Sequence, residues 1–162
     1  MALVTPVFLD TTVFLEGLID MGPSSEKARA ILSSIADGRV RPGQTAWHCC
    51  LEFYAVSTRL PEEYRLTPQD AERIITESIL ENFEVHGLPD NARKSFLIGA
   101  GRDRLIGGRI YDAQIAETAR LSGARTVITG NVRHFRGLSG HGILVLTTGE
   151  ADLPGGTGRR GR

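Results

Sequence analysis

The stretch DAQIAETARLSGARTVITGNVRHF, residues 112–135, combines the two patterns that decide the fold. Asp112 to Leu121 carries apolar residues at helical spacing, and Gly123 closes that segment. Thr126 to Thr129, TVIT, is a short β-branched run of the kind that forms strands buried on both faces of a sheet. A helix that leads directly into a buried strand predicts one unit of an α/β domain.

Similar strand patterns occur on both sides of this stretch. The N-terminal one, Val4 to Leu9, is a near-continuous apolar run. Pro6 is expected early in that strand or at its margin, because proline removes a donor from the ladder. A further buried strand is predicted at Ile143–Leu146, and shorter strands or extended segments at Arg39–Thr45 and Phe83–Leu88.

Helical patterns fill the intervals between these strands. The sharpest helix start is Thr67-Pro68-Gln69-Asp70, with a capping Thr, a Pro at the first helical position and a carboxylate three residues on. The alternation predicts an α/β three-layer domain over residues 1–150, with a mostly parallel central sheet flanked by helices. A flexible Gly- and Arg-rich tail is expected over residues 151–162. The predicted helices cover residues 13–20, 23–38, 46–60, 67–80, 91–105 and 112–121.

Length and composition favour one globular domain. The chain has 162 residues, 41% of them hydrophobic, which suits a single sizeable core. No run approaches the ~20 apolar residues that span a bilayer, and Met1 to Phe8 lacks the features of a secretory signal. Cys49 and Cys50 are adjacent, which does not suit a disulfide framework. We therefore expect reduced packing cysteines in a cytoplasmic protein without a membrane partner.

The charges of the chain balance at 19 basic against 19 acidic residues, and 17 of the basic residues are Arg. Three of those arginines and Asp152 lie after Glu150. The remaining body therefore has 16 basic and 18 acidic residues, a net charge of −2. Such a body does not bind nucleic acid by charge alone, so a nucleic-acid partner would require a local site.

Polar side chains follow two of the predicted strands. Asp10 comes directly after the first strand, Asn131 follows Thr126–Thr129, and Asp112 lies near a helix N-terminus. Because ligands gather at the carboxyl ends of strands in open α/β sheets, the fold can bring these residues to one edge. Each also has a simpler interpretation, as a turn former, a cap or a residue that favours the helix dipole.

Glu52 lies among apolar residues in AWHCCLEFYAV. A carboxylate in such a segment is costly if it is buried and unpaired. It therefore lies either on a narrow solvated stripe or in a cleft that holds positive charge. Converging carboxylates repel one another, and a hard divalent cation, Mg²⁺ or Mn²⁺, would stabilise them. Such an ion can activate water for attack on a phosphodiester.

Four pieces of the chain, in order, resemble the PIN-domain family, and especially the VapC-type toxins of bacterial toxin–antitoxin pairs. They are FLDTTVFLEGL, CLEFYAVSTR, GGRIYDAQIAETARLSGARTVITGNVRHF and ILVLTT, within a resemblance that runs from about Leu3 to Glu150. The resemblance implies a parallel sheet flanked by helices, and cleavage of single-stranded RNA, tRNA included, with Mg²⁺ or Mn²⁺. It also implies frequent homodimers and, for the toxins, an inhibitory antitoxin protein.

Carried over by position, the resemblance assigns the acidic site to Asp10, Glu52 and Asp112. Asp10 and Asp112 would bind the metal, and Glu52 would position or deprotonate the attacking water. The fourth acidic position of many relatives holds Asn131 here, whose amide oxygen can ligate a metal or orient a water but adds no negative charge. One firmly held metal is therefore expected. Thr11, Thr129 and Glu16 would surround these residues, while Arg133 and His134 would either meet the RNA backbone or lie on a solvated loop.

Two other functions stay open. One is a non-catalytic PIN-like module that binds RNA or a protein, with an acidic site weakened by Asn131. The other is a receiver-like domain that holds Mg²⁺ on strand-end aspartates, which needs a nearby lysine; neither Lys27 nor Lys94 follows a strand. Gly99-Ala100-Gly101 does not follow a strand either, so a dinucleotide loop is not indicated. Trp47 is expected to lie in the core or to serve as a packing anchor.

Overall fold

Five strands form the centre of the molecule in the computed structural model, which describes residues 3–154. They are β1 (Leu3–Leu9), β2 (Val40–Ala46), β3 (Glu84–His86), β4 (Thr126–Ile128) and β5 (Leu144–Leu146). They form one sheet in the order β3-β2-β1-β4-β5, and every neighbouring pair is parallel. The predicted α/β domain with a mostly parallel central sheet is confirmed.

Seven α-helices connect the described strands. They are α1 (Thr11–Leu18), α2 (Ser25–Ala36), α3 (Trp47–Ser57), α4 (Pro68–Ile74), α5 (Asp90–Arg102), α6 (Arg109–Leu121) and α7 (Val132–Phe135). Helix α4 continues as a π-helical segment, Ile75–Leu80, and α7 continues as a 3₁₀ segment, Arg136–His141. The predicted start of α4 is confirmed, since the Thr67 hydroxyl accepts a hydrogen bond from the Asp70 N–H. Helix α1 begins directly after Asp10, two residues earlier than predicted, and the short α7 was not predicted.

The core lies on both faces of the sheet, because successive side chains of a strand point to opposite sides. Val7 and Leu9 of β1 pack with residues of α1 to α4 on one face. Phe8 packs on the other face with Ile115 of α6 and Phe135 of α7. Helices therefore cover the sheet on both sides, and Val7 to Leu9 of the central strand β1 are buried.

Pro6 lies inside the central strand β1. The register between β1 and β2 shifts between Val4 and Val7, so the missing N–H of proline falls where the ladder is already irregular. On the other side, the Pro6 carbonyl accepts a hydrogen bond from the Arg125 N–H at 2.9 Å. The Pro6 carbonyl thus forms a ladder hydrogen bond, although proline has no N–H to donate.

The end of the described chain packs against the domain. Ala151 and Leu153 are partly buried against the core, and the Ser34 hydroxyl donates to the Pro154 carbonyl at 3.0 Å. The first residues of the predicted tail therefore contact α2, whereas residues 155–162 lie outside the described part of the chain. Between residues 3 and 154, no helix has the length and apolar character that crossing a membrane requires.

Of the two predicted positions for Trp47, the core is excluded. Trp47 is the first residue of α3, and half of its surface (50%) is exposed. The side chain of Trp47 points away from the core at the start of α3, whereas Cys50 and Phe53 of the same helix face the core.

Candidate active site at the carboxyl edge of the sheet

Asp10 and Thr129 meet because their strands are parallel neighbours. Asp10 follows β1 and Thr129 follows β4, so both lie at the carboxyl edge of the sheet. The Asp10 N–H donates to the Ile128 carbonyl at 3.1 Å, which extends the ladder to this edge. The Thr129 hydroxyl donates to Asp10 Oδ2 at 2.8 Å and accepts from the Asn131 N–H at 2.9 Å. Thr129 thereby fixes both Asp10 and the backbone at Asn131.

Asp112 and Asn131 meet at the imidazole of His134. Asp112 lies in the first turn of α6, and its Oδ2 is 2.7 Å from His134 Nδ1 on α7. The Asn131 amide also lies 2.8 Å from that ring nitrogen. One Nδ1 cannot donate to a carboxylate and accept from an amide N–H at once. Turning the amide so that its oxygen faces the ring gives a consistent network, with one N–H shared by two acceptors.

Glu52 on α3 belongs to the same electrostatic site. Burial raises the pKa of Glu52, and the negative charges of Asp10 and Asp112 raise it further. His48, one turn earlier, places its Nε2 at 3.5 Å from Glu52 Oε2. The three predicted acids therefore come together, although they derive from three separate parts of the chain.

Asp10 is the most buried of these acids, with 6% of its surface exposed. Burial raises the pKa of Asp10, and the negative charge of Asp112 adds to that rise. Hydrogen bonds from the Thr129 hydroxyl, the Thr11 backbone and the Thr12 hydroxyl act in the opposite direction and favour the carboxylate. The site thus holds donors for an ionised Asp10 beside two further acids, an arrangement that a cation would stabilise.

Thr11, Thr12 and Glu16 of α1 surround Asp10. Thr11 is fully buried, and its hydroxyl oxygen forms no hydrogen bond of ordinary geometry with the described residues. It lies near enough to Glu52 to lower the pKa of that carboxyl. The Thr12 hydroxyl accepts from the Gly130 N–H at 2.7 Å. Glu16 lies further out and accepts from the Thr148 hydroxyl at 3.4 Å.

The two cysteines are free and buried, as predicted. Cys49 lies beneath the site, with its Sγ 3.9 Å from Asp10 Oδ1. Burial, with a smaller contribution from the charge of Asp10, raises the pKa of Cys49 to about 12. Burial raises the pKa of Cys50 to about 11. Both thiols therefore stay protonated, and the candidate metal ligands are oxygen atoms.

The oxygen donors suit a hard divalent cation. No set of three or more His, Cys, Asp or Glu side chains converges into a ready-made metal site within residues 3–154. Mg²⁺ does not need one, because it is commonly held by one or two carboxylates and completes its shell with water and substrate oxygens. Asp10 and Asp112 can supply the carboxylates, and the Thr11 hydroxyl and Asn131 can hold a water. The residues present therefore fit Mg²⁺ or Mn²⁺.

Arginines line the outer side of Asp112. Arg109 and Arg133 border a small cavity of about 100 Å³ together with Asp112 and His134. Arg133 was predicted near the substrate, but Arg109 was not. Arg109 lies one turn before Asp112 on α6, so both side chains border this cavity. This spacing is visible in the sequence once the helix start is known.

These features define a parallel α/β domain with an acidic site at the carboxyl edge of its sheet. A PIN-domain family model matches residues 6–133, which is more than half of the chain. The protein therefore belongs to the PIN-domain family, whose members are typically nucleases, and the resemblance found in the sequence is confirmed. No curated protein sequence gives a match.

Solved structures share this fold at low sequence identity. FitAB bound to the IR36 DNA fragment matches with a TM-score of 0.63 and 18% identity, over 91% of this chain and 99% of that one. FitAcB from Neisseria gonorrhoeae matches at 0.59 and 20%, over 90% and 99% of the two chains. VapBC-1 from nontypeable Haemophilus influenzae matches at 0.59 and 17%, with the same coverage. These likenesses establish the fold.

Thr129→Val should weaken metal binding about 10- to 100-fold, the usual effect of losing a group that orients a ligand. The substitution removes the donor to the buried Asp10 carboxylate and the acceptor of the Asn131 N–H. Thr129→Ser retains both contacts and is the matched control. Titration with Mn²⁺ in a calorimeter measures the affinity. Equal affinities for the Val and Ser variants would contradict this role.

Proposed function

We propose that the protein is a metal-dependent endoribonuclease that cleaves phosphodiester bonds of single-stranded RNA with Mg²⁺ or Mn²⁺. One observation carries the proposal. Asp10, Glu52 and Asp112 share one site at the sheet edge, where the negative charges of Asp10 and Asp112 raise the pKa of Glu52. Membership in the PIN-domain family supports a nuclease in general.

Asp10 and Asp112 are proposed to bind the cation, which would activate a water and offset the charge of the phosphate. Glu52 is the least constrained of the three acids, since its only ion pair within residues 3–154 is the 3.5 Å contact with His48. Its raised pKa makes it a better proton acceptor than an exposed glutamate. We therefore assign Glu52 to orienting and deprotonating the attacking water.

Thr129 and Asn131 would hold the geometry around Asp10, with Thr11 and Glu16 further out. Arg133 and Arg109, beside Asp112, would meet the RNA backbone, because the guanidinium fork matches phosphate oxygens. His134 shares that cavity, and its contact with Asp112 gives it a second role in fixing this acid.

We also propose that the protein is the toxin of a toxin–antitoxin pair in the cytoplasm, held inactive by a cognate antitoxin protein and active as a homodimer. The resemblance to VapC-type toxins and the shared fold with VapBC-1 support this. Exposed apolar side chains on and after α5, Ile98 at 63% and Ile106 at 80%, fit a protein contact better than free solvent.

The test is cleavage of mixed-sequence single-stranded RNA, tRNA included, by the purified protein. Cleavage is expected with Mg²⁺ or Mn²⁺ and not with EDTA, and duplex RNA and single-stranded DNA should be cut less. Cleavage that persists in EDTA would contradict the metal mechanism. If the protein binds these RNAs without cutting any of them, the non-catalytic binding module, with its acidic site weakened by Asn131, replaces the nuclease.

A further inference from the structure

A wide groove lies beside the acidic site, between α3, α5 and α6. Its volume is about 520 Å³, within the range of sites that hold small ligands. None of the described carboxylates lines it, and its walls are mainly apolar and aromatic. The side-chain rings that line it belong to Trp47, His48, His86, Phe96 and Tyr111, and Arg93 contributes a guanidinium group.

Aromatic rings in this groove present flat faces. His48 and Tyr111 stack with their centroids 5.0 Å apart and their planes inclined by 14°. Tyr111 remains 52% exposed and Trp47 50% exposed, although both are large rings that favour burial. Rings that are held parallel and left half open form the kind of platform on which a further planar group stacks.

Two contacts connect the stacked rings of His48 and Tyr111 to the acidic site. Tyr111 immediately precedes Asp112 on α6, so neighbouring residues of one helix face the groove and the acids. His48 stacks on Tyr111 and also contacts Glu52 at 3.5 Å. The stacked rings therefore adjoin the acids, so a nucleotide with its phosphate at the acids could direct its base towards these rings.

Positive charge flanks the acids in both directions. Arg93 lines the groove, and its ion pair with Asp90 is largely exposed to solvent, so a phosphate can compete for it. Arg109 and Arg133 lie on the other side, beside Asp112. Guanidinium groups therefore border both the groove and the cavity beside Asp112, and they match the phosphates of a nucleic acid strand better than an uncharged peptide.

We propose that this groove binds one unpaired base of the RNA substrate, stacked on Trp47 and on the Tyr111–His48 pair. The inference rests on the proposed nuclease function, since it uses the acids to place the phosphate. Stacking is tolerant of base identity, because every base has a flat face. The groove therefore selects unpaired over paired RNA rather than one sequence.

Trp47 is the only tryptophan of the chain, so its fluorescence reports on the groove directly. The Asp10→Asn variant, which keeps the RNA intact, is titrated with a short single-stranded oligoribonucleotide and with an abasic oligonucleotide of equal length and charge. Quenching is expected with the first and not with the second. Trp47 emission that responds equally to both, or to neither, overturns the proposal.

Binding by groove variants, measured by anisotropy of the labelled oligoribonucleotide, gives the second test. Tyr111→Leu and Trp47→Leu should bind roughly 5- to 100-fold more weakly, the usual loss for one stacked base. Tyr111→Phe should bind normally because it keeps the ring. Tyr54→Ala is the matched control, an exposed aromatic of α3 outside the groove.

Base binding is contradicted if the Leu variants bind as tightly as the control. It is also contradicted if the Leu variants alone change their oligomeric state, a result that would assign the groove to a protein contact. These binding results do not depend on turnover. Failure of the wild type to cleave RNA refutes the nuclease by itself, and retained cleavage without base-dependent quenching refutes only the groove.

Discussion

Asp10→Asn should lower metal-dependent RNA cleavage by about 10³-fold, because the stabilisation that a metal gives to a phosphoryl transition state amounts to several kcal/mol. The substitution removes one negative charge but keeps an oxygen that can accept from Thr129, so the hydrogen-bonded frame survives. Cleavage rates of wild type and variant over a range of Mn²⁺ concentrations measure the effect. Asp20→Asn, an exposed acid just after α1, is the matched control and should cleave normally.

The stability of Asp10→Asn distinguishes loss of function from loss of fold. The pKa of Asp10 is raised above 3.8, so the folded protein binds more protons than the unfolded one between the two pKa values. The free energy of unfolding therefore falls as the pH rises through that window. In EDTA at neutral pH, Asp10→Asn should melt above the wild type because it removes a buried charge. The melting temperature should rise by about 2–4 °C for each kcal/mol gained in the free energy of unfolding, and this difference should shrink in acid, where Asp10 is protonated. A variant that melts below the wild type would contradict the expected stabilisation, and only a variant already unfolded at the assay temperature would attribute the lost cleavage to unfolding.

Asn131→Asp should tighten Mn²⁺ binding about tenfold or more and raise the cleavage rate at low metal concentration. The new carboxylate would lie beside His134 and Asp112 and add a charge to the cation site, and such charges interact by several kcal/mol at close range. In EDTA the same charge should lower the melting temperature through repulsion with Asp112. Calorimetric titration and a cleavage series measure both effects.

Asn131→Ala separates the gain of charge from the loss of the amide. It should weaken the contact with His134 without tightening metal binding. If Asn131→Asp binds Mn²⁺ no better than the wild type, the fourth position does not face the cation, and the expectation that its missing charge limits the site is wrong.

The strands and most helices could be predicted because their patterns are local. Buried parallel strands such as β1 are near-continuous apolar runs, and Thr67-Pro68 is a favoured helix start. Glu52 could be singled out because a carboxylate among apolar residues is costly without a partner. Its pKa is indeed raised by burial and by the two other acids. The roles assigned to these residues stay predictions.

The features that could not be predicted depend on tertiary contacts. Helix α7 has four residues, too few for a periodic pattern, yet it brings His134 to Asp112. Trp47 was expected in the core or as a packing anchor because large apolar rings are usually buried, and its half-exposed position follows only from where α3 starts. The groove beside it joins α3 to the later helices α5 and α6, which are distant from α3 in sequence.

Gly130 has a consequence for any mutational scan of this protein. A Cβ at this position would lie 3.2 Å from both Cβ and Oγ1 of Thr12, closer than ordinary contact, so the end of β4 or the start of α1 would have to shift. The 2.8 Å hydrogen bond between Thr129 and Asp10 spans that same junction. A residue without any functional group thus keeps Thr12 close to the residues that hold Asp10, and a library that varies only charged and polar positions would never sample it.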